Sequence, residues 1–215
     1  MVYKLEKNGW FVRIKKGTYY ISDLNSRGFL KLSPYKTAQV IAEDSYISFE
    51  NSLQFHKMFD QLLRTYTSVS LNQHRDREIN NLVFKYKKTT PDHYYGWEEE
   101  NIENYLVRIA TPEKAIIDML YFNRELLTVD LILEILRNYE KDFNFNKLFE
   151  FSKRNKIIIT RALGFIFDLL KFDSTKFHEI IKTRNDSANL TKDAEIFNSK
   201  WRLYYNKELR KYEDF

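Results

Sequence analysis

The residues best placed for chemistry are cations. Arg13, Lys15 and Lys16 cluster in WFVRIKKGTYYI (10–21), where Trp10, Val12 and Ile14 alternate with Phe11, Arg13 and Lys15. Alternation of period two predicts a strand. TYYI (18–21) is a second run of β-formers, and Gly17 can supply the positive φ of a tight turn. The expected element is a β-hairpin with a basic tip. Such a wing puts cations against phosphates or into a minor groove. A solvated turn is the plainer alternative, because lysines at hairpin ends also keep strand edges soluble.

Other constellations are weaker. Ser48, Glu50 and His56 suggest a hydrolase, but no strand–GxSxG–helix elbow accompanies them. Ser48 is better read as a helix N-cap and His56 as a partly buried helix residue. Glu98, Glu99 and Glu100 form an acidic run expected in a solvated strand–strand connection. Lys114 and Asp118 stand four residues apart beside Glu113, the spacing of a surface ion pair on a helix. Trp201, Tyr204 and Tyr205 can stack bases, but core packing accounts for them more simply. The four histidines show neither HxH nor HExxH spacing, and there is no cysteine. Disulfides and thiolate chemistry are thereby excluded, and neither a metal nor a cofactor is expected. Five glycines, none in a phosphate-loop pattern, point the same way. The expectation is a protein without catalytic activity.

The charge distribution sharpens the reading of the hairpin. The chain carries a net charge of +5 over 215 residues. Residues 1–36 hold Lys4, Lys7, Arg13, Lys15, Lys16, Arg27, Lys31 and Lys36 against Glu6 and Asp23, so the excess lies there and the remainder is nearly balanced.

The elements that must carry these residues follow from periodicity. A short helix is expected over 2–8, closed by Gly9, and another over 35–43 behind Pro34. A helix over 49–58 follows Ser48. Strands are expected at 67–71, 82–87, 94–97 and 105–110, in an antiparallel sheet. The period changes at Ala110. Thr111, Pro112 and Glu113 have the order of a cap, a first-turn proline and a dipole-favoured carboxylate. A helix with Ala115, Ile116, Met119 and Leu120 on its apolar face is then expected behind Thr111, followed by helices near 128–139, 145–155, 157–171 and 175–183. A loop over 185–195 and a closing strand over 200–206 complete the chain. The fold class is α+β, divided into a basic region 1–43 and an α+β domain 44–215. No leader or membrane span is expected, so the cytoplasm is the expected location.

Four stretches carry a family resemblance: GWFVRIKKGTYYI (9–21), YISFENSLQFH (46–56), VRIATPEKAIIDMLY (107–121) and KWRLYYNKEL (200–209). Their order and spacing resemble the AbiEi-like abortive-infection antitoxins of toxin–antitoxin operons. The resemblance implies an N-terminal winged helix that binds operator DNA and represses its own operon. It also implies a larger domain that counters a nucleotidyltransferase-like toxin, without requiring a stable complex. Only eight residues precede Gly9, so the winged helix is expected to be partial. The residues expected to touch DNA are Lys4, Lys7, Arg13, Lys15, Lys16 and Thr18. The expected partners are operator DNA and, functionally, the toxin, with a homodimer left open. The alternative is a protein-interaction domain whose basic hairpin is incidental.

Overall fold

The computed structural model describes residues 11–21 and 33–213. The fold class is α+β, and the chain groups into two compact units: residues 1–51 with 62–109, and 52–61 with 110–215.

The first unit is built on a six-stranded sheet of order β5-β6-β4-β3-β8-β7. Its strands are β3 (Ser45–Ile47), β4 (Thr65–Ser70), β5 (Arg77–Ile79), β6 (Leu82–Lys88), β7 (Trp97–Ile102) and β8 (Tyr105–Ala110). The sheet is mixed where an antiparallel one was expected. β4 runs parallel to β6 and β3 parallel to β8, while β3/β4 and β5/β6 are antiparallel. Asn80 and Asn81, at φ 51° and 62°, join β5 to β6 with the left-handed pair that suits a two-residue hairpin. Tyr94 to Gly96 are not a strand. The strand begins at Trp97 and carries Glu98, Glu99 and Glu100 along the sheet edge, not in a loop. Charged edge strands resist pairing with other chains, which suits that position.

Helix α1 (Pro34–Ile41) starts from Ser33, whose hydroxyl accepts from the Lys36 N–H. It lies against the sheet, with Ala38 buried and the Tyr86 hydroxyl donating to the Ala38 carbonyl at 3.0 Å. Buried Gln39 ties three elements together. Its amide donates to the carbonyl of Ser45 and its Oε1 accepts from the N–H of Arg108. β1 (Phe11–Lys15) and β2 (Thr18–Ile21) form a separate antiparallel pair in the same unit. The boundary expected at residue 43 is therefore not where the chain divides. α1 packs on β3 and β4 and touches β1, and Arg77 holds the Ile14 carbonyl, so α1 and the hairpin group with the sheet.

Helix α2 (Phe49–Phe55) is shorter than expected and begins at Phe49 with φ 58°. Asn51 fastens it to β4. Its amide donates to the Thr65 carbonyl, and its Oδ1 accepts from the Thr67 N–H.

The second unit contains α3 (Pro112–Phe122), α4 (Leu126–Asn138), α5 (Phe145–Lys153), α6 (Ile157–Leu169) and α7 (Thr175–Ile181). Thr111 caps α3 through the Lys114 N–H, with Pro112 in the first turn, as the sequence predicts. A three-stranded sheet of order β10-β11-β9 closes the unit, from β9 (Ala188–Asn189), β10 (Ile196–Asn198) and β11 (Leu203–Tyr205). The expected loop 185–195 thus contains a short strand, and the closing strand is shorter than 200–206. Residues 52–61 belong here. Leu53 is fully buried, and the Ala110 carbonyl accepts from Ser52 Oγ at 2.6 Å.

Candidate nucleic-acid interface

The hairpin is assembled as its alternation dictates. Arg13 pairs with Tyr19 and Lys15 with Thr18, the register shifting between Arg13 and Lys15. Gly17 sits in the turn at φ 79°, and no atom lies within 4 Å of where a Cβ would stand. Backbone conformation, not crowding, therefore calls for glycine there. Ile14 is buried, whereas Arg13 and Lys16 are exposed. The Phe11 and Tyr19 rings, 6.1 Å apart, flank the Arg13 position on the outward face.

Two contacts seat the hairpin. Arg77 Nη1 donates to the Ile14 carbonyl at 2.9 Å, and Lys15 Nζ meets Glu43 Oε1 at 2.6 Å. The Lys15 hydrogen bond holds the Glu43 carboxyl below the ordinary carboxylate value. Lys15, expected as a tip cation, is thus engaged in an exposed ion pair with Glu43. Thr18, the first residue after the turn, lines a cavity of about 290 Å³ with Tyr19, Lys36, Val40 and Tyr105 and is only partly exposed. Lys4 and Lys7, with the helix expected over 2–8, lie outside the described residues. Of the six residues expected to touch DNA, Arg13 and Lys16 are thus the exposed pair on the hairpin.

The other constellations resolve into structural roles. Ser48 is fully buried, and its N–H bonds to the Thr67 carbonyl. His56 Nε2 bonds to the Ala110 carbonyl at 3.0 Å. Lys114 and Asp118 do pair, at 2.7 Å, but with side chains 1% and 2% exposed. The expected surface pair is in fact interior, because α5 and α6 pack over α3. Trp201 is fully buried, with Nε1 donating to Asp168 Oδ2 at 2.6 Å, and Tyr205 is buried while Tyr204 is partly exposed. Sequence reasoning missed Asp168, Gln39 and Glu43. Each is a polar residue whose partner lies far along the chain or in a turn. Among the described residues no group of three or more His, Asp or Glu is placed to hold a metal. No helix among them is long and apolar enough to cross a membrane.

Comparison with known proteins bears on the fold. No protein-family model and no curated protein matches the sequence. Among solved structures, the RV2827C protein from Mycobacterium tuberculosis superposes with a TM-score of 0.61. The match covers 95% of this chain and 78% of that one at 8% identity, a likeness of fold alone.

Proposed function

We propose that this chain is a non-catalytic, DNA-binding regulator of the antitoxin kind its sequence resembles, acting in the cytoplasm and paired in function with a nucleotidyltransferase-like toxin. One observation carries the reading. Arg13 and Lys16 project from a hairpin that is anchored from behind by Ile14 and Arg77. Cations on a seated hairpin reach a phosphate backbone with little further ordering, and phosphate contacts dominate affinity for DNA. Arg13, beside aromatic rings, has the planar fork that a narrow minor groove favours over lysine.

Fluorescence anisotropy with the DNA upstream of the gene and with random duplexes, across a salt series, tests this. Lys16→Ala is expected to weaken binding about equally on all duplexes and to lower the salt slope by about 0.9, the value for one neutralised phosphate. Arg13→Ala is expected to reduce the preference for the upstream duplex, and Lys15→Ala to do little, since Glu43 already engages it. Undiminished affinity and an unchanged salt slope in an Arg13→Ala/Lys16→Ala double variant would remove the hairpin from DNA. The alternative would then gain. Ile21, 66% exposed at the end of β2, is one of several exposed apolar residues, with Leu62 and Leu106 of the same unit, that a protein partner would cover.

A further inference from the structure

The second unit holds a cavity of about 410 Å³ where α3 ends, α4 begins and β9 runs out into Thr191. Two polar groups on its wall are buried without a hydrogen-bond partner among the described residues: Thr191 Oγ1, on a residue 3% exposed, and Arg124 Nε. Buried polar atoms are nearly always satisfied, so two orphans on one cavity point to a shared ligand. The Arg124 guanidinium is not loose. Its Nη1 donates to the Leu120 carbonyl at 3.2 Å, which holds the group in place while Nε stays buried without a partner among the described residues. Burial pushes this guanidinium below the ordinary arginine value, as expected of a cation that burial desolvates.

The start of α4 adds a second attraction for negative charge. Glu125 is the N-cap, its side chain makes no capping bond, and the first turn holds no acidic residue. A thirteen-residue helix therefore begins at the cavity wall with no side-chain cap at its positive end. Lys192, exposed on the rim, contributes another cation; Glu125, also exposed, is the acid among the lining residues. Tyr121 lines the cavity as well, an aromatic residue beside the cationic ones.

We propose that this cavity binds a phosphate monoester of a small organic molecule, its phosphoryl oxygens accepting from Arg124 Nε and the Thr191 hydroxyl and its organic part resting against Tyr121. A guanidinium edge and a helix start are donors or positive ends and the hydroxyl can donate as well, so the ligand class they share is an anionic acceptor. The cavity is larger than one inorganic phosphate, and the aromatic residue suits the remainder of an ester.

Phenyl phosphate, inorganic phosphate and benzoate serve as probes, titrated into the full chain at constant ionic strength with chloride as control. Thermal shift and phosphorus NMR are the readouts. Phenyl phosphate is expected to bind saturably and more tightly than either other probe. Arg124→Gln is expected to weaken it about tenfold or more, the effect of removing one charge-assisted hydrogen bond. Thr191→Val keeps the side-chain shape and is expected to weaken binding roughly threefold to tenfold without lowering the melting temperature of ligand-free protein, since it removes an unpaired hydroxyl. No saturable binding by the wild type, a shift equalled by chloride, preference for benzoate, or unchanged affinity in Thr191→Val would each overturn the proposal.

Discussion

Lys114 and Asp118 show how far a residue-level pattern reaches. Their i,i+4 spacing predicts the pair, and the pair forms at 2.7 Å. Their depth is not in the spacing. It depends on Leu148 and the buried face of α6, which arrive from later in the chain and shut out water. The energetic sense of the pair changes with that depth. An exposed pair contributes under about 1 kcal/mol, whereas removing one partner of a buried pair strands the other charge and costs about 3–5 kcal/mol. Asp118→Ala is therefore expected to destabilise by about that amount in urea denaturation. Lys114→Met/Asp118→Leu, which removes both charges and fills the space, is expected to recover most of it. A decrease below about 1 kcal/mol for Asp118→Ala would mean that the side chains are solvated. Glu113 is a related case. The sequence puts it in the first turn of α3, where the dipole favours it; the fold uses its Oε1 to accept from the N–H of Asn144, the cap of α5.

At the scale of elements, α6 is the most legible helix and holds the tightest constraint. Its apolar residues recur at i, i+3 and i+4, and ten of its thirteen residues are buried. A glycine inside such a helix costs about 1 kcal/mol relative to alanine and needs a reason. The reason is Trp201. A Cβ on Gly164 would stand 2.0 Å from Trp201 Cζ3, and the indole cannot swing clear while its Nε1 is held by Asp168. Gly164→Ala is accordingly expected to destabilise by about 3 kcal/mol, at the upper end of overpacking, despite the gain in helix propensity. In a Trp201→Leu background the same change should cost much less. The coupling, measured by a double-mutant cycle in urea, is expected to exceed about 1 kcal/mol. Additive effects would remove the close approach as the cause. The sheet was less legible. β3, β5 and β10 are three residues each, too short for an alternation to register, and the parallel partners of β3 and β4 cannot be read from either strand alone.

At the scale of the whole chain, the two units are interleaved in sequence. Residues 52–61 lie between two segments of the first unit yet belong to the second, where Leu53 is fully buried and Ser52 and His56 both bond to the Ala110 carbonyl. A cut at Ala110 therefore does not separate two complete bodies. A fragment of residues 110–215 is expected to unfold with less cooperativity than the second-unit transition of the full chain and to bind a hydrophobic dye. A version in which residues 52–61 are joined ahead of Ala110 by a flexible linker is expected to regain a cooperative transition. Equal stability of the two fragments would show that the inserted segment contributes nothing to the core. Contacts likewise group both sides of position 43 in the first unit. No Gly- or Pro-rich linker marks a division here, and the grouping is set by which apolar faces meet.

The amino-acid order alone was enough for features whose cause is local: the α+β class, the hairpin turn at Gly17, the start of α3 at Thr111 and Pro112, and the helices whose apolar residues recur with helical periodicity. Dihedral preference, capping and periodicity act over a few residues, so a few residues reveal them. The folded chain was needed for what depends on distant partners. The ion pair of Lys15 with Glu43, the burial of Lys114 and Asp118, the mixed order of the large sheet and the unpaired Thr191 and Arg124 groups around one cavity are of that kind. Burial and hydrogen-bond satisfaction are set by what packs on every side of a residue, and those neighbours come from segments whose meeting no local pattern encodes.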